Sequence, residues 1–178
     1  MSGGDPLSLG DERLGDLLQK LAAIGHVRRL RLHTRTPIVL PSRVDQGLEA
    51  CLRRAGRPLV LVLHSNHPGE INDEVAAALA RLSAAGARLL NQTVLLKGVN
   101  DDATVLAALS ERLFDAGVLP YYLHLLDRVQ GAAHFEVSEE DGQRIAGQLA
   151  ANLPGYLVPR LVRETGGAPA KLTLPPRF

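Results

Sequence analysis

The run Pro58-Leu59-Val60-Leu61-Val62-Leu63, closing on His64-Ser65-Asn66-His67-Pro68, decides the architecture. An uninterrupted apolar segment of this kind has no polar face to turn toward water. It reads as a strand covered on both sides, which is the pattern of a parallel sheet flanked by helices. The polar cluster follows at the carboxyl end of that strand, where parallel α/β folds place their ligands.

Upstream, residues 44–55 read as a helix stopped by Gly56, and residues 34–42 as a loop beyond a strand end. Residues 27–33 alternate and predict a strand. Asp11 can cap a helix in which Leu14, Leu17, Leu18, Leu21 and Ile24 recur at helical spacing, ending at Gly25. Downstream, Asn72 can cap a helix whose buried stripe is Val75, Leu79 and Leu82, with Gly86 at its end. A strand over 87–90 then runs into the polar Asn91-Gln92-Thr93. A helix over 103–116 ends at Gly117, and a strand over 118–126 closes on Asp127. Ser138 with Asp141 resembles a capping box for a helix reaching about Asn152, and residues 156–162 form a last strand. The alternation repeats at roughly thirty residues, the length of a βαβ unit. It predicts an α/β fold, a partial parallel (β/α) barrel, with the polar clusters of successive strands on one rim.

Composition narrows the classes. Hydrophobic residues make up 46% and charged residues 22%, as in ordinary globular domains, and aromatics only 3%, so Leu, Val and Ala must fill the core. A net charge of +1 favours neither nucleic acid nor a membrane surface as partner. No apolar run is long enough to span a bilayer, and residues 1–6 have neither the cationic nor the apolar region of a signal peptide. The single cysteine, Cys51, excludes an internal disulfide and a cysteine-built metal site within one chain. A reducing, cytoplasmic setting is the expectation.

The stretch 163–173, Arg-Glu-Thr-Gly-Gly-Ala-Pro-Ala-Lys-Leu-Thr, delivers Lys171 after a glycine- and proline-stiffened turn. A phosphate-binding P-loop needs Gly-Lys-Ser/Thr, and here alanine precedes the lysine and leucine follows it. An imine-forming lysine and a solvated surface lysine both remain open on these residues.

Several phrases in order resemble the lysine 2,3-aminomutase family of radical S-adenosyl-L-methionine (SAM) enzymes. They are Ser-Gly-Gly-Asp-Pro-Leu, Leu-His-Thr-Arg-Thr-Pro-Ile-Val-Leu-Pro-Ser-Arg, His-Ser-Asn-His-Pro-Gly-Glu-Ile, Asn-Gln-Thr-Val-Leu-Leu-Lys-Gly-Val-Asn-Asp-Asp, Pro-Tyr-Tyr-Leu-His and Gly-Gly-Ala-Pro-Ala-Lys. The resemblance covers nearly the whole chain and is nearest the branch that makes β-lysine for elongation factor P. It implies that Lys171 carries pyridoxal phosphate (PLP), that Gly3 and Gly4, with His64 and Gln92, hold SAM, and that Asp127 and Glu164 grip the distal ammonium of substrate L-lysine. Both carboxylates are expected to stand clear of Lys171. Glutamate at 164, where the aminomutases proper carry aspartate, favours the elongation factor branch.

The family holds its 4Fe-4S cluster through a CxxxCxxC loop upstream of the glycine pair, and this sequence opens at that pair. The expectation is therefore the carboxyl-terminal portion of such an enzyme, lacking the first barrel strand and inactive alone. It divides into a partial barrel over 1–155 and a carboxyl-terminal strand with the PLP-lysine segment over 156–178. An unpaired sheet edge invites self-association, so a homo-oligomer is expected. Beyond Lys171 the family continues Thr-Pro, whereas this chain has Leu-Thr. Two other classes stay open: a non-catalytic remnant or interaction module keeping the fold, and a PLP-binding protein without radical chemistry.

Overall fold

A computed structural model describes residues 1, 4–127, 130–167 and 170–178. It shows a mixed α/β protein whose six strands lie in chain order in one mostly parallel sheet. The contacts divide into two compact units. The first comprises Met1–His64, Glu70–Leu90 and Ala116–Val118; the second comprises Ser65–Gly69, Asn91–Asp115 and Leu119–Phe178.

In the first unit, β1 (Leu30–Thr34) pairs in parallel with β2 (Leu59–His64), Leu30 opposite Leu59 and Thr34 opposite Leu63. The apolar run that reads as a doubly covered strand is one: Leu59, Leu61, Val62 and Leu63 are all buried. Around it lie α1 (Asp11–Ala22), α3 (Gln46–Arg53) and α4 (Asp73–Ala84). Asp11 and Glu12 sit in the first turn of α1, where carboxylates favour the helix dipole, and Leu14 and Leu18 are fully buried. Asp45 caps α3 by accepting from Leu48 N at 2.8 Å, and Asn72 caps α4 by accepting from Val75 N at 2.9 Å. Gly86 ends α4 at φ 96°, a left-handed conformation that glycine adopts without a Cβ penalty. Cys51 faces Gly15 of α1, where an added Cβ would lie 3.5 Å from its Sγ. Burial, reinforced by the negative charge of Asp11, pushes its thiol up, so it packs as a small apolar side chain.

In the second unit, β4 (Val118–His124, from Leu119 on) pairs in parallel with β5 (Arg160–Arg163), and β5 pairs antiparallel with the two-residue β6 (Leu172–Thr173). Here also lie α5 (Ala103–Asp115) and α6 (Glu139–Asn152). Ser138 caps α6 by accepting from Asp141 N at 3.1 Å, and its hydroxyl donates to Asp141 Oδ2 at 2.7 Å. This is the capping pair read from sequence, with the shorter aspartate reaching the cap hydroxyl. The chain after β6 lies across α6. Leu174 N donates to Leu161 O at 3.0 Å and Arg177 N to Gln143 O at 2.9 Å, while Arg177 pairs with Glu140 at 2.6 Å. A Cβ at Gly147 would stand 2.0 Å from Arg177 O, so only glycine admits this approach.

Several sequence expectations are corrected. β1 begins at Leu30, because residues 27–29 make no ladder. Residues expected as loop form α2 (Thr36–Val39), started by Pro37 in its first turn, where a missing N–H costs nothing. Asn91 and Gln92 lie inside β3 (Ala87–Val94), not beyond its end. The last long strand is Arg160–Arg163; Gly155–Leu157 before it is a 3-10 turn. β6 runs antiparallel, so the parallel order does not extend through the lysine segment. Among the described residues no helix is long and apolar enough to cross a membrane.

Candidate active site

The register of β5 on β6 builds the lysine site. Arg163 pairs with Leu172, so Glu164 and Lys171 face each other one step beyond the ladder. Lys171 Nζ makes an ion pair with Glu164 Oε1. The expectation that both carboxylates stand clear of Lys171 is thus corrected for Glu164, because the antiparallel return sets the two residues opposite each other. Lys171 retains 30% of its side-chain exposure and Glu164 49%. His124, the last residue of β4, is nearly buried and places Nδ1 3.9 Å from the same Glu164 oxygen. The Tyr122 ring lies 5.7 Å from Lys171 Nζ and meets the His124 ring edge-on. The Arg160 guanidinium lies 5.3 Å from the centroids of both Tyr121 and Tyr122, within cation–π range.

Glu164 also lines a cavity of about 460 Å³ with Asp127, Glu136 and Arg163, over an apolar floor of Leu125 and Val137. Arg163 Nη1 is held by Glu139 at 2.7 Å. The lining thus brings together three carboxylates and a guanidinium, with Glu164 already paired to Lys171 and Arg163 to Glu139. The resemblance placed Asp127 and Glu164 together, and they line one cavity. Glu136 was not anticipated. It follows a single 3-10 turn (Ala133–Phe135), and no local pattern marks that position.

The other implied residues fall elsewhere. Gly4, in the first unit, adopts φ 61°, and an added Cβ there would meet nothing within 4 Å. Gly3 lies outside the described residues. Asp5, next to Gly4, joins this turn to the end of β1. Its carboxylate accepts from Thr34 Oγ1 at 2.6 Å, Arg35 N at 2.7 Å, Leu7 N at 3.0 Å and Thr36 N at 3.0 Å. Burial pushes this carboxyl up, and the bonds from Thr34, Arg35, Leu7 and Thr36 together outweigh it and hold the group below its ordinary value. A depressed aspartate contributes stability above its unfolded pKa and loses that contribution as pH falls through the folded value. Asp5→Asn is therefore expected to be less stable than wild type at neutral pH by about 1–2 kcal/mol. In urea titrations at several pH values, that gap should close below about pH 3.9, the unfolded aspartate value. A gap independent of pH would refute it.

Arg43 caps the loop that follows Asp5. It donates to Leu7 O and Leu9 O, both at 2.9 Å, and pairs with Asp11 at 2.6 Å. His64 ends β2 in the first unit and is half-buried; Gln92 lies within β3 in the second and is half-buried too. In the second unit a buried amide network holds the loop that follows β2. Asn91 Oδ1 accepts from Ser65 N at 3.0 Å, and its Nδ2 donates to Ser65 O at 3.0 Å and Thr93 Oγ1 at 2.9 Å. Asn100 Nδ2 donates to Asn66 O at 2.8 Å and Val94 O at 2.9 Å.

The donor sets differ in what they can hold. A half-buried amine against an aromatic wall and a nearly buried imidazole fits PLP at Lys171. The exposed, left-handed Gly4 leaves backbone open to a ligand, as SAM would need. An iron cluster does not fit: the one thiol is buried in α3, and among the described residues no group of three or more His, Cys, Asp or Glu could hold a metal ion.

Comparison with known proteins gives a consistent result. The chain is 51% identical over 173 residues to L-lysine 2,3-aminomutase of Escherichia coli strain K12, which covers 97% of the chain and 51% of that protein. It is 49% identical over 170 residues to L-lysine 2,3-aminomutase of Haemophilus influenzae, covering 96% of the chain and 50% of the relative. To the Clostridium subterminale protein of the same name it is 38% identical over 178 residues, 100% of the chain and 42% of the relative. The chain thus spans about half the length of the curated relatives it matches. No protein-family model matches it.

Proposed function

Because this chain belongs to the L-lysine 2,3-aminomutase family, we propose that it carries the lysine-recognising and imine-forming part of an aminomutase converting L-lysine to β-lysine. The observation that carries this reading is the carboxylate cavity of Asp127, Glu136 and Glu164 joined through Glu164 to Lys171. The cavity recognises the distal ammonium of lysine: paired carboxylates from different elements fix its position and reject an uncharged chain end. The apolar floor of Leu125 and Val137 takes the methylenes. Lys171 presents the amine that joins the cofactor, Tyr122 offers a ring beside it, and His124 at the end of β4 stands 3.9 Å from the Glu164 carboxylate. PLP, when bound, supplies the carbonyl and the electron-delocalising ring that an amino-group shift requires.

The resemblance extends the proposal to SAM at Gly3, Gly4, His64 and Gln92 and to a radical SAM-type barrel of which this sheet is part. The iron cluster finds no ligand set among the described residues, and no part of the proposed chemistry runs through it. Glutamate at 164 favours the elongation factor P branch. A cytoplasmic setting and a homo-oligomer complete the reading.

The test compares L-lysine with L-norleucine, which has the same carbon skeleton without the distal ammonium. Calorimetry on the protein should give at least about tenfold tighter binding of lysine, the scale of one charge-assisted contact. Asp127→Asn should remove most of that preference. Equal affinity for the two amino acids would sink the reading.

A further inference from the structure

Glu164 lines the cavity for the substrate ammonium, yet the cation that touches it is Lys171 of the same chain. The geometry points to Glu164 as a positioning residue for Lys171 as well as a substrate contact. It holds the amine as an ammonium at the cavity rim and yields that place when the nitrogen enters an imine. This inference rests on the proposed function and adds to it an order of events at the site.

Among the described residues, the groups shown near Lys171 come from β4, β5 and the residue after β5. Glu164 follows β5, His124 and Tyr122 come from β4, and Arg160 of β5 lies 5.3 Å from the Tyr122 ring centroid. Asp127 shares the cavity with Glu164. Of these, Glu164 is the carboxylate in contact, so it dominates the preference of the nitrogen for its protonated form.

In imine formation the ammonium gives one proton to water, directly or relayed by the Glu164 carboxylate, which ends ionised. The free amine nitrogen bonds to the carbonyl carbon, and the carbonyl oxygen leaves as water. An imine nitrogen carries at most one proton, against three on an ammonium, so it is the poorer partner for Glu164. The carboxylate is then released to the distal ammonium of a lysine ligand. A carbonyl compound on Lys171 and an ammonium in the cavity therefore favour each other, and by linkage each raises the affinity of the other by the same factor.

The chain has only three lysines, Lys20, Lys97 and Lys171, which makes the test direct. Reductive methylation with ¹³C-formaldehyde followed by NMR titration reports each amine separately. In Glu164→Gln the Lys171 midpoint should fall by about half a pH unit, the scale of a partly exposed ion pair, with Lys20 and Lys97 unmoved. Glu139→Gln, which touches Arg163 and not Lys171, should move none of them. In the wild-type protein, saturating L-lysine should displace Lys171 from Glu164 and lower the same midpoint, and this effect should vanish in Glu164→Gln. A second arm traps PLP with borohydride at fixed pH; Glu164→Gln should take about threefold more label at Lys171. Label at Lys171 with an unmoved or raised midpoint would overturn this inference alone. No label at Lys171 in either protein would overturn the imine reading and the inference with it.

Discussion

Borohydride reduction after exposure to stoichiometric PLP is expected to leave one stable label, on Lys171, and Lys171→Ala is expected to abolish it. Lys20 and Lys97 are both exposed, one in the last turn of α1 and one in a turn before α5. Their ammonium groups are hydrated and have no ring face described beside them. Lys171 is half-buried near the Tyr122 ring, which Arg160 also approaches, 5.3 Å from its centroid. Selection here comes from the surroundings of the amine and not from its basicity, because the contact with Glu164 favours the ammonium. What retains a cofactor is the ring face on which its own ring can rest. Peptide mapping of the reduced protein decides the matter. Label at Lys20 or Lys97 with none at Lys171 would refute the assignment.

Asn91→Ala is expected to cost about 3–5 kcal/mol of stability. The residue is 1% exposed and makes three hydrogen bonds. Truncation leaves the amide of Ser65, itself 0% exposed, without its acceptor, and opens a small void beside it. Ser65 O keeps the bond from Thr93 Oγ1 at 2.9 Å, which limits the loss to the amide and the cavity. For a chain of this size the change corresponds to a fall in Tm of about 10 °C. Chemical denaturation of the purified variant checks it, and a loss under about 1 kcal/mol would show that water or relaxation replaces the network.

The features legible in the sequence are those set by local chemistry. The apolar run before His64 is short, has no polar face and is rich in valine and leucine, which reads as a covered strand, and Asn72 and Ser138 announce their helices because a cap needs only the next three residues. Asp127 and Glu164 were reachable through the resemblance, and one cavity contains both. The misread features depend on distant partners. Asn91 and Gln92 look like a strand end until Ser65 supplies the buried bonds that let an asparagine sit inside β3. Leu172 and Thr173 carry no strand signal, and only the return against β5 makes them one. Glu136 reaches the cavity through tertiary placement, and the pairing of Lys171 with Glu164 follows from a register no pattern encodes.

The close approach of Arg177 to Gly147 has a consequence for the aim of Lys171. A two-residue strand cannot keep its own alignment, and a slip of one residue would send the lysine to the opposite side of the sheet. The alignment is therefore kept from outside, by the bonds of Leu174 to Leu161 and of Arg177 to Gln143. The distance along the chain from Lys171 to the notch at Gly147 works as a gauge: it measures out how far the amine projects toward Glu164. A methyl group placed in that notch, some way from the chemistry, would reset the gauge and move the nucleophile without touching any residue of the cavity.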